Sequence, residues 1–161
     1  LENEIKGLEN RKIELLKELE LEKQKTEIEY SFKNGEKYFV LGQNGLISDY
    51  LWDGSNFDKT RYSQGHIFKT KEEAAKERDR RLLLTRFRQF RDKCNGDWKP
   101  DFDNHLGKHY ISWNHTTNVW KIHFSYNLED FNLFGYFRKE PDAKRAIELF
   151  GNEIKRLYLE G

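Results

Sequence analysis

Two stretches of the chain align residue for residue: Phe68-Lys69-Thr70-Lys71-Glu72-Glu73-Ala74 and Phe137-Arg138-Lys139-Glu140-Pro141-Asp142-Ala143. In the first, Thr70 and Glu73 form a capping box, in which hydroxyl and carboxylate satisfy orphan amides at a helix start. In the second, Pro141 sits near the first helical position, where its missing amide costs nothing. A hairpin precedes each stretch. Lys37-Tyr38-Phe39-Val40-Leu41 and Leu46 to Trp52 read as strands about Gln43-Asn44-Gly45, and Asn-Gly is a strong hairpin signal. Gly65-His66-Ile67-Phe68 reads as a third short strand. Further on, Tyr110 to Trp113 and Val119 to Phe124 read as strands about the polar turn Asn114 to Asn118. Alternation puts Trp120, Ile122 and Phe124 on one face, with Lys121 and His123 on the other. The chain is therefore predicted to be α+β, with one ββ(β)α plan used twice. Duplication and convergence both account for this match, because a Phe before a capped helix is a general way to pin helix to sheet.

The helices follow from periodicity. After Thr70 a helix is predicted to run to about Lys93 and to stop at Asn95-Gly96, with Leu83, Phe87, Phe90 and Cys94 on its apolar face. Ala143, Ile147, Phe150, Ile154 and Leu157 mark the second amphipathic stripe. The stretch through Asp53, Gly54, Asn56 and Asp58 reads as a polar loop. At the start of the chain, Leu1, Ile5, Leu8, Lys12, Leu15 and Leu19 step alternately by four and three, which is a heptad seam. A seam on an otherwise charged helix needs a second helix to cover it, and Lys12 within it favours two strands over more. These residues are assigned to a homodimer interface; the alternative is folding back on the chain's own body, which Ile13 and Leu16 would assist by widening the stripe. The predicted organisation is a coiled-coil helix over 1–28, a first hairpin-helix unit over 29–98 and a second over 99–161. With no initiating Met, the chain is read as the ordered part of a longer one.

Composition limits the function classes. Twelve Phe, eight Tyr and four Trp supply buried area that the charge-rich remainder does not. A formal net charge of +1 gives no global field toward nucleic acid or membrane. Any such site is local. One cysteine, Cys94, cannot form an intramolecular disulfide, and no run approaches the roughly 20 apolar residues of a membrane span. The expected location is cytoplasmic.

No Gly-rich phosphate loop, Cys-x-x-Cys, His-Glu-x-x-His or Gly-x-Ser-x-Gly occurs. Asp101, Asp103, His105 and His109 have metal-like spacing, but polar residues between two units read better as connector. Pro100-Asp101 lacks the Glu-x-Lys that a nuclease would place on the next strand. No catalytic residue, metal or cofactor is assigned. The informative patch is the cationic helix face of Arg78, Arg80, Arg81, Arg86, Arg88 and Arg91, which fits phosphates, an acidic protein surface or plain solvation. Arg80, Arg81, Arg88 and Arg91, with Trp52, Trp113 and Lys121, are the candidate partner-binding residues.

The chain resembles a family of small proteins of Gram-positive phages, prophages and mobile elements. The likeness rests on the leading Glu/Lys/Leu helix, on Trp52, Asp58, Arg61, Gly65 and the Phe68 to Ala74 stretch, on Trp98-Lys99-Pro100-Asp101, and on Ala143, Ala146 and Ile147. It covers most of residues 36–161 and implies a non-enzymatic accessory protein that binds a host protein or other host macromolecule, with inhibition of a bacterial defence component as the specific version. A weaker likeness, to AP2-like and integrase arm-type DNA-binding units, implies DNA binding by a sheet carrying Trp113, Trp120, Tyr136 and Arg138, and the alternative function is a DNA- or RNA-binding module using the sheet faces and the Arg-rich helix. The Arg-rich first strand of those modules is absent here.

Overall fold

A computed structural model describes residues 2–103, 106–125 and 132–160, and these form a mixed α+β protein. The order is α1 (Glu2–Thr26), β1 (Lys37–Leu41), β2 (Ile47–Leu51), α2 (Asn56–Ser63), β3 (Ile67–Phe68), α3 (Lys71–Asn95), β4 (Lys108–Asn114), β5 (Val119–Ser125) and α4 (Glu140–Ile154). A π-helical turn, Lys155–Leu159, continues α4. The described chain divides into two compact units, Leu1–Val40 with Ser48–Lys69, and Leu41–Ile47 with Thr70–Gly161.

Both hairpins form where their turn chemistry requires. Gly45 adopts φ +78°, a left-handed value that favours glycine, and Asn44 Oδ1 accepts the Leu46 amide at 3.1 Å. In the second hairpin Asn114 Oδ1 accepts the amides of Thr116 and Thr117, and β4 pairs with β5 from Lys108↔Ser125 to Asn114↔Val119. In the first sheet the order is β2-β1-β3, with β3 antiparallel to β1 through Phe39↔Phe68. The second sheet repeats this arrangement by an isolated antiparallel bridge, His109↔Phe137. Phe68 and Phe137, equivalent in the sequence alignment, thus hold equivalent places beside the first strand of their hairpins.

The first unit packs rings around Trp52, which is 5% exposed. Phe32 stacks on it at 5.5 Å, while Tyr38 and Tyr62 meet it edge-on. Within this core lies one buried carboxylate. Asp58 accepts the Tyr38 hydroxyl at 2.5 Å and the Asp53 amide at 2.9 Å. The polar loop expected here holds through Asp53 and Gly54, but Asn56 and Asp58 belong to α2, because Ser55 caps it by accepting the Asp58 amide at 3.3 Å.

The second unit has an apolar core of Leu83 and Phe87 from α3, Ile111 from β4, Phe137, and Ala143, Ala146, Phe150 and Ile154 from α4. Phe90 and Cys94 pack against it, as the predicted stripe requires. The boundary expected at residue 98 is displaced: α3 belongs with the second hairpin. Its apolar face is covered by α4, Ile111 and Phe137. The capping box is present, with Thr70 Oγ1 accepting the Glu73 amide and Glu73 Oε2 accepting the Thr70 amide. Gly151 lies mid-helix in α4 because Trp120 fills the space; a Cβ there would stand 2.8 Å from Trp120 Nε1.

Helix α1 leaves its seam open. Every residue whose burial is described in it is exposed, and Ile5, Leu8, Leu15 and Leu19 lie 51%, 72%, 49% and 67% open. Lys12 lies on the same exposed helix, and Leu1 is outside the described residues.

Candidate functional site

The arginines of α3 have separate tasks. Arg80 Nε donates to the Leu157 carbonyl at 2.8 Å, and its guanidinium lies 5.1 Å from the centre of the Tyr158 ring. Arg91 Nη1 donates to the Phe134 carbonyl and its other nitrogens hold Asp92. These two tie α3 to the segments around α4. Arg86 reaches both oxygens of Glu153 at 2.6 Å, and Arg81 pairs with Glu77 at 2.9 Å. Arg88 is exposed. The candidate stripe of Arg80, Arg81, Arg88 and Arg91 is therefore mostly committed to the chain's own carbonyls and carboxylates.

The other candidates are also dispersed. Trp52 is core in the first unit, so it has no surface to offer a partner. Trp113 and Trp120 form a cross-strand pair with rings 5.3 Å apart, on the face that α4 covers. Lys155 stands over Trp113 at 5.3 Å. The sheet that the DNA-binding likeness would use thus turns both tryptophans toward its own helix. Lys121 sits on the opposite, exposed face.

That opposite face joins the candidates Lys121, Tyr136 and Arg138 to residues not named as candidates from sequence, Tyr110, Ser112 and His123. Register places Tyr110 across from His123 and Ser112 across from Lys121. The Tyr110 and His123 rings stack at 5.1 Å and 20°, and His123 Nε2 is 2.8 Å from Ser112 Oγ. Because Phe137 pairs with His109, its neighbours Tyr136 and Arg138 point to the Tyr110 side. The Tyr136 ring meets Tyr110 edge-on at 6.0 Å and Phe102 at 5.6 Å. Asn95 at the end of α3 fixes this edge, donating to the Tyr136 carbonyl and accepting the Arg138 amide. Two adjoining cavities of about 390 and 260 Å³ share Trp98 and Lys99 as walls; Tyr136 lines the larger and Lys108 the smaller.

The result is a ribbon in which the stacked Tyr110 and His123 rings and Lys121 are accessible, buried Tyr136 supports them, and Trp98 and Lys99 share the wall of the larger cavity with Tyr136. Buried Lys108 belongs to its support, with Nζ donating to the Leu106 carbonyl at 2.9 Å and facing the Phe102 ring. The sequence signal is the alternation that puts Lys121 and His123 together. What it lacks is the strand register that brings Tyr110 and Tyr136 beside them.

Among the described residues no group of three or more His, Cys, Asp or Glu converges to hold a metal ion. Asp101 Oδ1 accepts the Asp103 amide in a local turn, His109 packs its ring against Phe124, and His105 lies outside the described residues. Burial, reinforced by Asp142, pushes the Cys94 thiol above its ordinary range, so it is a poor nucleophile. Among the described residues no helix is long and apolar enough to cross a membrane. No family model, curated protein or solved structure matches the chain.

Proposed function

We propose that this chain is a non-enzymatic binding protein that associates through α1 and presents the ring-and-cation ribbon of its second unit to a macromolecular partner. The observation that carries this is the ribbon itself. Tyr110 and His123 stack on the open side of the hairpin, with exposed Lys121 beside them and exposed Arg138 on the same side beyond Tyr136. Rings that lose little entropy on contact, rimmed by cations, are typical interface anchors. The phage and mobile-element resemblance points to a host protein in the bacterial cytoplasm, and inhibition of a defence component is the specific form of this proposal.

The test is capture from bacterial lysate, with and without nuclease, by the intact chain and by Lys121→Glu/Arg138→Glu. Both side chains are exposed, so the variant should keep its melting temperature to within a degree or two. Loss of a nuclease-resistant partner supports the proposal; an unchanged set of captured proteins rejects it.

A second reading has its own observation. A stacked ring pair with a lysine alongside suits single-stranded nucleic acid, whose bases stack on aromatic platforms. Its signature is binding to a DNA or RNA oligonucleotide that falls steeply as salt rises. A protein partner predicts modest salt dependence.

A further inference from the structure

The reading of α1 as an association helix leaves open how two copies meet, and the charges beside its seam answer this. Ile5, Lys12 and Leu19 occupy a positions and Leu8, Leu15 and Glu22 occupy d positions of successive heptads. The flanking g positions are then Glu4, Arg11, Glu18 and Lys25, and the e positions are Glu9, Leu16 and Lys23. In a parallel pair each g residue faces the e residue of the next heptad. Glu4 would oppose Glu9 of the second copy, Arg11 would oppose Leu16, and only Glu18 with Lys23 would attract.

In an antiparallel pair g faces g. With Leu8 packed on Leu19 of the second copy and Lys12 beside its Leu15, Glu4 faces Lys25 and Arg11 faces Glu18. Each contact occurs twice, and every charged g pair attracts. Sliding the copies by one heptad sets Glu4 against Glu18 and Arg11 against Arg11 in one direction, or Arg11 against Lys25 and Glu18 against Glu18 in the other. The charges therefore select both the direction and the register. Antiparallel packing also sets opposite ends of the helix dipoles together.

From this complementarity and the exposed seam we infer that α1 forms an antiparallel, fully overlapping homodimeric coiled coil about 37 Å long. The present partners of Arg11 and Lys25 are Glu14 at 3.1 Å and Glu22 at 2.6 Å within the same helix. All four side chains are more than half exposed, so these pairs are weak and exchangeable.

The inference rests on the proposal that α1 self-associates, and charge reversal in the full chain separates the two. Self-association of the native chain, Arg11→Glu, and Arg11→Glu/Glu18→Arg would be followed by sedimentation equilibrium. Antiparallel pairing predicts that the single reversal weakens the dimer about tenfold or more, because two attractive contacts become repulsive. The double reversal then restores affinity to within about threefold, because each attracting pair re-forms with its signs exchanged. Helix content of both variants is followed by far-ultraviolet circular dichroism, because Arg at position 18 gains i,i+4 partners in Glu14 and Glu22, and restored affinity counts for the inference when the two helix contents agree. If the single reversal is neutral and the double weakens, the cation introduced at position 18 is meeting Lys23, the pair is parallel, and the inference fails while self-association stands. A native chain that stays monomeric at tens of micromolar overturns both and leaves the seam to a different protein.

Discussion

The two hairpins of this protein share a strand plan and differ in what covers it. In each, the first strand of the hairpin pairs antiparallel with a short third segment, by Phe39↔Phe68 in one and His109↔Phe137 in the other. Two residues after each Phe comes the N-cap of a helix, Thr70 or Lys139, and the equivalent Ala74 and Ala143 are both fully buried. Beyond that the likeness ends. The first hairpin is covered by Phe32 and by Tyr62 of the inserted α2, with Asp58 buried among the rings. The second is covered by its own following helix, through Trp120 seated on Gly151 and through Ile111 and Ile122 against an apolar core. A strand plan thus fixes where a helix starts without fixing which sheet it covers.

The sharpest way to break this comparison is to empty the larger core. Phe87 is fully buried, with Phe134, Phe137 and Phe150 rings within 6 Å. Phe87→Ala should cost about 3–5 kcal/mol in urea denaturation. Hydrogen exchange should show lost protection in α3, β4, β5 and α4, with β1 and β3 retained. Equal loss in β1 and β3 would mean that the two cores open as one, and the distinction drawn between them would fail.

A smaller effect is expected from the polar anchor of the first unit. Asp58→Ala strands the Tyr38 hydroxyl and the Asp53 amide, and an unsatisfied buried group costs about 1–3 kcal/mol. Here the protection lost should lie in β1, β3 and α2. Burial and the Asp58 hydrogen bond both raise the Tyr38 pKa above its ordinary value near 10. The unfolded chain releases this proton first, so the contribution is full below about pH 10 and is lost as pH rises beyond it. Titration of the Tyr38 phenol by ultraviolet absorbance, in native chain against Asp58→Ala, should show a lower midpoint in the variant.

These contrasts explain how far the sequence could be read. Both hairpins, the capping box and the stripe of α4 were legible because each depends on neighbours in the chain. Helix α2 was not. Its eight residues carry two aromatics, of which Phe57 is exposed, and it is held by Ser55 capping and by Asp58 rather than by an apolar stripe. The stripe Leu83, Phe87, Phe90, Cys94 announced a buried face of α3 but not its cover, since one periodic face packs equally well on either sheet. The intrachain partners of the arginines were hidden for a related reason. Arg80 and Arg91 look like a surface stripe in projection, yet both reach carbonyls more than forty residues away, at Leu157 and Phe134. Of the ribbon face, Lys121, Tyr136 and Arg138 were named from sequence, and Tyr110 and His123 escaped because they become their neighbours only through register.

The smallest effect sharpens the comparison most, because it exchanges chemistry between equivalent positions. Thr70 and Lys139 are both N-caps in extended conformation, with φ −127° and −122°. Thr70 closes a capping box, whereas Lys139 makes no side-chain cap bond and places a cation at the positive end of the helix. Helix α4 offsets this with Pro141 in its first turn and with Glu140 and Asp142 there. Lys139→Thr would put a hydroxyl within reach of the Asp142 amide, whose present partner is the Lys139 carbonyl at 3.2 Å. The expected gain is about 0.5–1 kcal/mol, and Thr70→Ala should lose a similar amount. Both would appear as shifts of the urea midpoint at constant slope. Opposite shifts of equal size would show that the two caps are interchangeable parts of one plan. A neutral Lys139→Thr would show that the acidic first turn of α4 already does what the hydroxyl does in α3, so that the two helix starts reach the same buried alanine by different electrostatics.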